Sequence, residues 1–211
     1  MITPEERAMF EHVRMLLKDY DTNPHVPEKK VKYIRCDHTK RTFMWLLQLI
    51  DAYPDRQSLD EEALRIATIF HDCGYTSEDR HNHPARSAVY CREYLEKNGY
   101  SSEKIDFICD LISRHSDKDK MFDDIPMELV LLMEADLFDD TGAHGLVLDV
   151  WIEVLANEEI SFESILKHFE KSLNIMAENP MRTAKAKEIW EHKRQVVNEF
   201  YAEYKRDILT I

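Results

Sequence analysis

The chain has 211 residues, enough for one large domain or two small ones with a buried core. Hydrophobic residues make up 44% and charged residues 33%, a globular composition rather than a disordered or membrane-spanning one. A net charge of −13 argues against a broad nucleic-acid surface, which needs Lys and Arg against phosphates, but leaves room for a basic pocket around one small phosphorylated ligand.

With only 4 Gly and 7 Pro, and apolar residues mostly at helical spacing, the chain reads as all-α. Thr3-Pro4-Glu5-Glu6 has the form of a helix start, with Thr3 as N-cap, Pro4 in the first turn and Glu6 closing a capping box. That helix is expected to reach about Tyr20, before the breaker-rich loop Asp21-Thr22-Asn23-Pro24-His25-Val26-Pro27. A second helix begins near Asp37 and carries Phe43, Leu46, Leu47 and Ile50 toward Pro54. Ser58 with Glu61 caps a third, whose apolar run from Ala63 to Phe70 ends at His71-Asp72. The polar stretch Cys73 to Asn82 is a loop, and a helix follows from about His83 with Pro84 in its first turn. Asn98-Gly99 is its stop and Ser101 or Ser102 the next cap. Further helices are expected at about 101–114, 126–139, 146–156, 162–178 and 183–206. The sets Trp151, Val154, Leu155 and Phe162, Ile165, Phe169, Leu173 read as core. The pattern gives a single domain over 1–211, with a motif-bearing core at about 31–141 and the helices of 142–211 packing on it.

Cys36, Cys73, Cys91 and Cys109 are scattered without a Cys-x-x-Cys pair, as expected of reduced thiols in a cytosol. The start turns charged at once, unlike a signal peptide, and no apolar run nears the ~20 residues of a membrane span. A soluble, cytoplasmic protein is the expectation.

Six residues stand out as candidate metal ligands: His38, His71, Asp72, His83, His115 and Asp136. Each lies at or near a helix end or on a helix with an apolar face, where imidazoles and carboxylates cost stability unless something pairs with them. A divalent metal is the simplest partner, since these are its usual ligands. His71 and Asp72 are neighbours, about 100° apart on a regular helix, so both can reach one ion only near a helix end. His81 is a near-twin of His83, and either could face the site. His12, His25, His144, His168 and His192 have no such context and read as surface residues.

Asp37-His38-Thr39-Lys40-Arg41, then Ile69-Phe70-His71-Asp72-Cys73-Gly74-Tyr75, then Glu134-Ala135-Asp136-Leu137-Phe138-Asp139-Asp140 resemble, in this order, the HD-domain superfamily of metal-dependent phosphohydrolases. His83-Pro84-Ala85-Arg86-Ser87-Ala88 and Leu111-Ile112-Ser113-Arg114-His115 are similar to stretches of members with extra histidines. The resemblance covers roughly Val31 to Thr141. It implies an all-helical bundle with a metal site between helices. His38, His71, Asp72 and Asp136 would be ligands to a divalent transition metal (Mn, Fe, Co, Ni or Zn), with Asp72 also in the catalytic set. Such an ion generates hydroxide near neutral pH and neutralises charge on phosphoryl oxygens. One ion is implied. His83 and His115 would either ligate a second or stand near the phosphate, and the step of 83 − 72 = 11 residues is shorter than in the well-known two-metal members.

Arg41, one turn after His38, Arg86, in the same relation to His83, and Lys118, after His115, are candidates to bind a phosphate, alongside the bland reading of solvated charges. Glu78-Asp79 lies just after the His-Asp pair, where some HD phosphohydrolases place acidic residues, and Asp79 is the candidate general acid or base. The implied substrate is a small phosphoester or phosphoanhydride, a nucleotide above all, and a homodimer is compatible with the family. Two rivals stand beside this reading: a di-iron HD-type oxygenase, and a module that senses metal or nucleotide without turnover.

Overall fold

The computed structural model describes residues 1–21, 35–76, 81–157 and 159–209, and among them every regular element is helical, with no strand. In chain order these are α1 (Pro4–Leu16), α2 (Lys18–Asp21), α3 (Arg35–Ala52), α4 (Glu61–Phe70), α5 (His83–Lys97), α6 (Ser102–Arg114), α7 (Met127–Asp139), α8 (Gly142–Ala156), α9 (Phe162–Ile175) and α10 (Ala184–Leu209). Packing divides them into two compact units, the first running to Asp136 and the second starting at Leu137.

α4 is the axis of the first unit. Ala63, Leu64, Ile66, Ala67, Ile69 and Phe70 are all buried, because α1, α3, α5 and α6 pack around it. Burying each large side chain contributes roughly 1.5–3 kcal/mol, so this short helix is held by its surroundings more than by propensity. Thr3 caps α1 through the expected capping box, with Glu6 accepting from the Thr3 N–H at 2.8 Å. The same Glu6 takes Arg65 of α4 at 2.5 and 2.8 Å, tying α1 to the axis.

The turn after α4 is shaped by α5. Gly74 donates its N–H to Ser87 Oγ at 2.8 Å, and Arg86 Nε donates to the Gly74 carbonyl at 2.9 Å. A Cβ on Gly74 would lie 2.2 Å from the His83 carbonyl oxygen, so an alanine here would force the turn open. The His-Pro-x-x-Ser stretch is thereby explained: its serine and arginine clasp the His-Asp turn, and its histidine faces the site.

Within the second unit, α8, α9 and α10 pack on one another. Trp190 is buried and donates Nε1–H to the Glu178 carbonyl at 3.0 Å. Lys193 donates to the Phe138 and Thr141 carbonyls at 2.8 and 3.1 Å, capping the C-terminal end of α7 with a cation, as its dipole favours. Burial pushes the Lys193 ammonium down to about 8, with Asp139 working the other way.

Several expectations need correction. The cap of α4 is Asp60, which accepts from the Ala63 N–H at 3.0 Å, while Ser58 lies in a preceding 3-10 turn. α3 begins at Arg35, two residues before Asp37, and α8 begins at Gly142. Val154 and Phe162 are exposed (Phe162 at 66%), although Phe169 of the same set is buried. His168 Nε2 contacts the Glu153 carboxylate rather than being simply solvated. The loop expected at Asp21–Pro27 lies outside the described residues apart from Asp21. Among the described residues, no helix is long and apolar enough to cross a membrane.

Candidate metal centre

Each candidate ligand comes from a helix terminus of the bundle, as sites between packed helices require. His38 lies near the start of α3, His71 is the C-cap of α4 with Asp72 just beyond, and His83 opens α5. His115 is the C-cap of α6, and Asp136 lies in the last turn of α7. Five of the six are buried, and the Asp136 side chain is 17% exposed. His81 is exposed and His83 buried, so it is His83 that faces the site.

The donors form two cages that share Asp72. In the first, His38 Nε2 lies 3.2 Å from His71 Nε2, 3.2 Å from Asp72 Oδ2 and 3.1 Å from Asp136 Oδ1. His71 Nε2 lies 3.6 and 3.5 Å from the same two oxygens. In the second, Asp72 Oδ1 lies 3.1 Å from His83 Nε2 and 3.4 Å from His115 Nε2, and the two nitrogens are 3.2 Å apart. Donors about 2.0–2.1 Å from a tetrahedral ion are about 3.3–3.4 Å from one another, so both cages have the size of a transition-metal site.

Hydrogen positions follow from the partners. His71 Nδ1 is 2.7 Å from the Thr68 carbonyl and His115 Nδ1 is 2.7 Å from the Ile112 carbonyl. A carbonyl only accepts, so each Nδ1 carries a proton and each Nε2 is the atom turned into the site, the one a metal would take. Burial holds His115 below the ordinary imidazole range despite its contact with Asp72, which keeps that ring neutral. Burial alone would raise Asp72, yet His71 and Arg35 hold it well below the usual carboxylate range. Asp136 is held down in the same way, chiefly by Lys118. The cages thus gather carboxylates and imidazole lone pairs around two points, and a cation at each point is what such a set fits.

Two cations brace the carboxylates. Lys118 Nζ lies 2.5 Å from Asp136 Oδ2, and Arg35 Nη1 donates to Asp72 Oδ2 at 3.0 Å. The Arg35 guanidinium also lies 4.4 Å over the Tyr75 ring, which stacks on His83 at 4.1 Å. Arg35 was missed in the sequence because the helix was expected to start two residues later; its spacing of three from His38 was the available signal. Of the other substrate candidates, Arg41 is half-buried one turn after His38, and Arg86 is directed to the Gly74 carbonyl. Asp79 and Glu78 lie outside the described residues.

The HD domain family model matches residues 35–141, just over half of the sequence, and the chain belongs to the HD-domain family. No relative among curated proteins matches. Solved structures share its fold. YpgQ of Bacillus subtilis in complex with ADP is 18% identical with a TM-score of 0.67, over 97% of this chain and 95% of that one. An HD-superfamily hydrolase of Bacillus thuringiensis is 16% identical with a TM-score of 0.69, over 99% and 100%. A Listeria innocua protein is 17% identical with a TM-score of 0.65, over 97% and 98%.

Proposed function

We propose that this HD-domain protein is a metal-dependent phosphohydrolase that cleaves a small phosphoester or phosphoanhydride, with nucleotides as the leading substrate class. The observation that carries the reading is the pair of donor cages sharing Asp72, with Arg35 and Lys118 beside them. Family membership supports hydrolysis, and the ADP held by the B. subtilis structure supports a nucleotide.

His38, His71, Asp72 and Asp136 would hold one ion, and Asp72, His83 and His115 a second. A bound divalent ion supplies a hydroxide near neutral pH and neutralises phosphoryl charge. The protein's own groups do the rest. Thr68 and Ile112 fix the tautomers of His71 and His115, and Asp72 turns one oxygen to each cage. Arg35, with its planar fork, and Lys118 bring positive charge to the site where a phosphate would add negative charge. Arg41 is a further candidate for that role.

The test is phosphate and pyrophosphate release from nucleotides, dinucleoside polyphosphates and sugar phosphates, with manganese, cobalt, nickel, magnesium or iron. Turnover that vanishes in a His71→Ala, Asp72→Ala double variant is the expected result. Silence across the panel by metal-loaded protein would sink the reading. The six-ligand arrangement also suits a di-iron oxygenase, which two irons per chain with visible-region absorption and dioxygen consumption would favour.

A further inference from the structure

The two histidines that close α4 and α6 are built alike. His71 and His115 are both C-caps, and both tie Nδ1 to the carbonyl three residues back at 2.7 Å. In each, the next residue sends an oxygen to the same place as the histidine's Nε2. After His71 that residue is Asp72; after His115 it is Ser116. Ser116 Oγ lies 3.2 Å from His115 Nε2 and 3.5 Å from His83 Nε2. With Asp72 Oδ1 these atoms outline a four-cornered cage, five of whose six edges run from 3.1 to 3.5 Å. A tetrahedral ion needs edges of about 3.3–3.4 Å.

We propose that Ser116 is the fourth donor of the second ion site, completing a cage with Asp72, His83 and His115. The inference rests on the two-ion reading above and assigns a residue that the His/Asp pattern does not contain. Ser116 is an exposed residue whose hydroxyl reaches inward, so it forms the solvent-side corner, where a water would otherwise sit. A serine hydroxyl has one hydrogen and two lone pairs. Without an ion the hydrogen can satisfy the Nε2 of His115. With an ion the oxygen turns a lone pair inward and the O–H points outward, toward solvent or a ligand oxygen. A neutral hydroxyl is a weaker donor than a carboxylate, which makes this corner the one a substrate oxygen displaces most easily.

The experiment loads the full chain and its Ser116→Ala and Ser116→Cys variants with cobalt(II). Cobalt per chain, stepwise affinity by calorimetry and the electronic spectrum are read, with circular dichroism confirming the fold. Two cobalt ions per wild-type chain are expected. Ser116→Ala should keep the tight ion and weaken the other by about tenfold or more. Ser116→Cys should gain a sulfur-to-cobalt charge-transfer band in the near ultraviolet, which only a thiolate on the ion produces. Two ions with unchanged affinities in Ser116→Ala, and no new band in Ser116→Cys, would overturn the role of Ser116 while leaving the two-ion reading intact. A single ion in wild type, unaffected by His83→Ala, would remove both.

Discussion

The two cages are made by the same backbone device and differ in charge. Each is anchored by a helix-terminal histidine whose Nδ1 is tied to its own helix. The first then draws on Asp72 and Asp136, with Arg35 and Lys118 as counter-charges. The second has only the far oxygen of Asp72 as an anion and otherwise neutral donors. Identical supports with unlike neighbours teach that geometry fixes where an ion sits, while carboxylate count sets how firmly it is held. The first cage should therefore fill at lower metal concentration than the second.

Asp72→Asn should erase the difference by destroying both cages, since Asp72 is their common wall. The expected result is loss of metal uptake at micromolar concentration and a fall in hydrolysis of about a thousandfold or more, because the ion supplies several kcal/mol of barrier lowering. Elemental analysis and initial rates read it directly; full metal content in the variant would show that the wall is not shared.

Single-cage variants sharpen the asymmetry. His71→Ala should abolish the tight ion, whereas His115→Ala should remove only the weak one and cost about 10- to 100-fold in rate. Equal losses from both would mean that the cages fill as one cooperative unit.

Lys118→Met probes the counter-charge that pairs directly with the first cage. Removing one partner of a buried pair typically costs about 3–5 kcal/mol, but this pair is partly exposed, which screening discounts to roughly 1–3 kcal/mol. The metal-free variant should unfold at lower denaturant than wild type, and manganese should narrow the gap by giving Asp136 a new partner. A gap that persists under saturating metal would point to lost packing of the lysine stem instead.

How much of this was legible in the sequence follows from what a sequence encodes locally. The His-Asp pair at the end of an apolar helix, and its companions on other helices, were legible because burial of polar residues at helix ends breaks the apolar period. All six gather at one place, and of the predicted cations Lys118 joins them. Arg86 has the right periodicity but is drawn off by a backbone carbonyl, a contact across the turn that helical spacing does not encode. Arg35 was lost to a two-residue error in a helix start, the least reliable feature of a pattern. Ser116 was invisible for another reason. A serine after a helix reads as turn chemistry, and only the likeness between the two helix ends in three dimensions gives it a part.

The smallest expected effect separates the cages by pH in metal-free protein. Burial alone would raise Asp72 and Asp136, but their cationic and imidazole neighbours hold them low. The stability they bring is therefore present above about pH 4 and is lost only as pH falls through their lowered values. His115 of the second cage responds earlier, because burial holds its imidazole below the ordinary value of about 6.5. As pH drops past that value the unfolded chain takes up a proton that the folded chain refuses. Stability then declines, by at most about 1.4 kcal/mol per pH unit, until the folded His115 itself titrates. Chelator-treated wild type should lose stability between pH 6.5 and 5 more steeply than His115→Gln, measured by urea unfolding at each pH. Parallel slopes would assign the loss to other histidines and leave the second cage without a titration of its own.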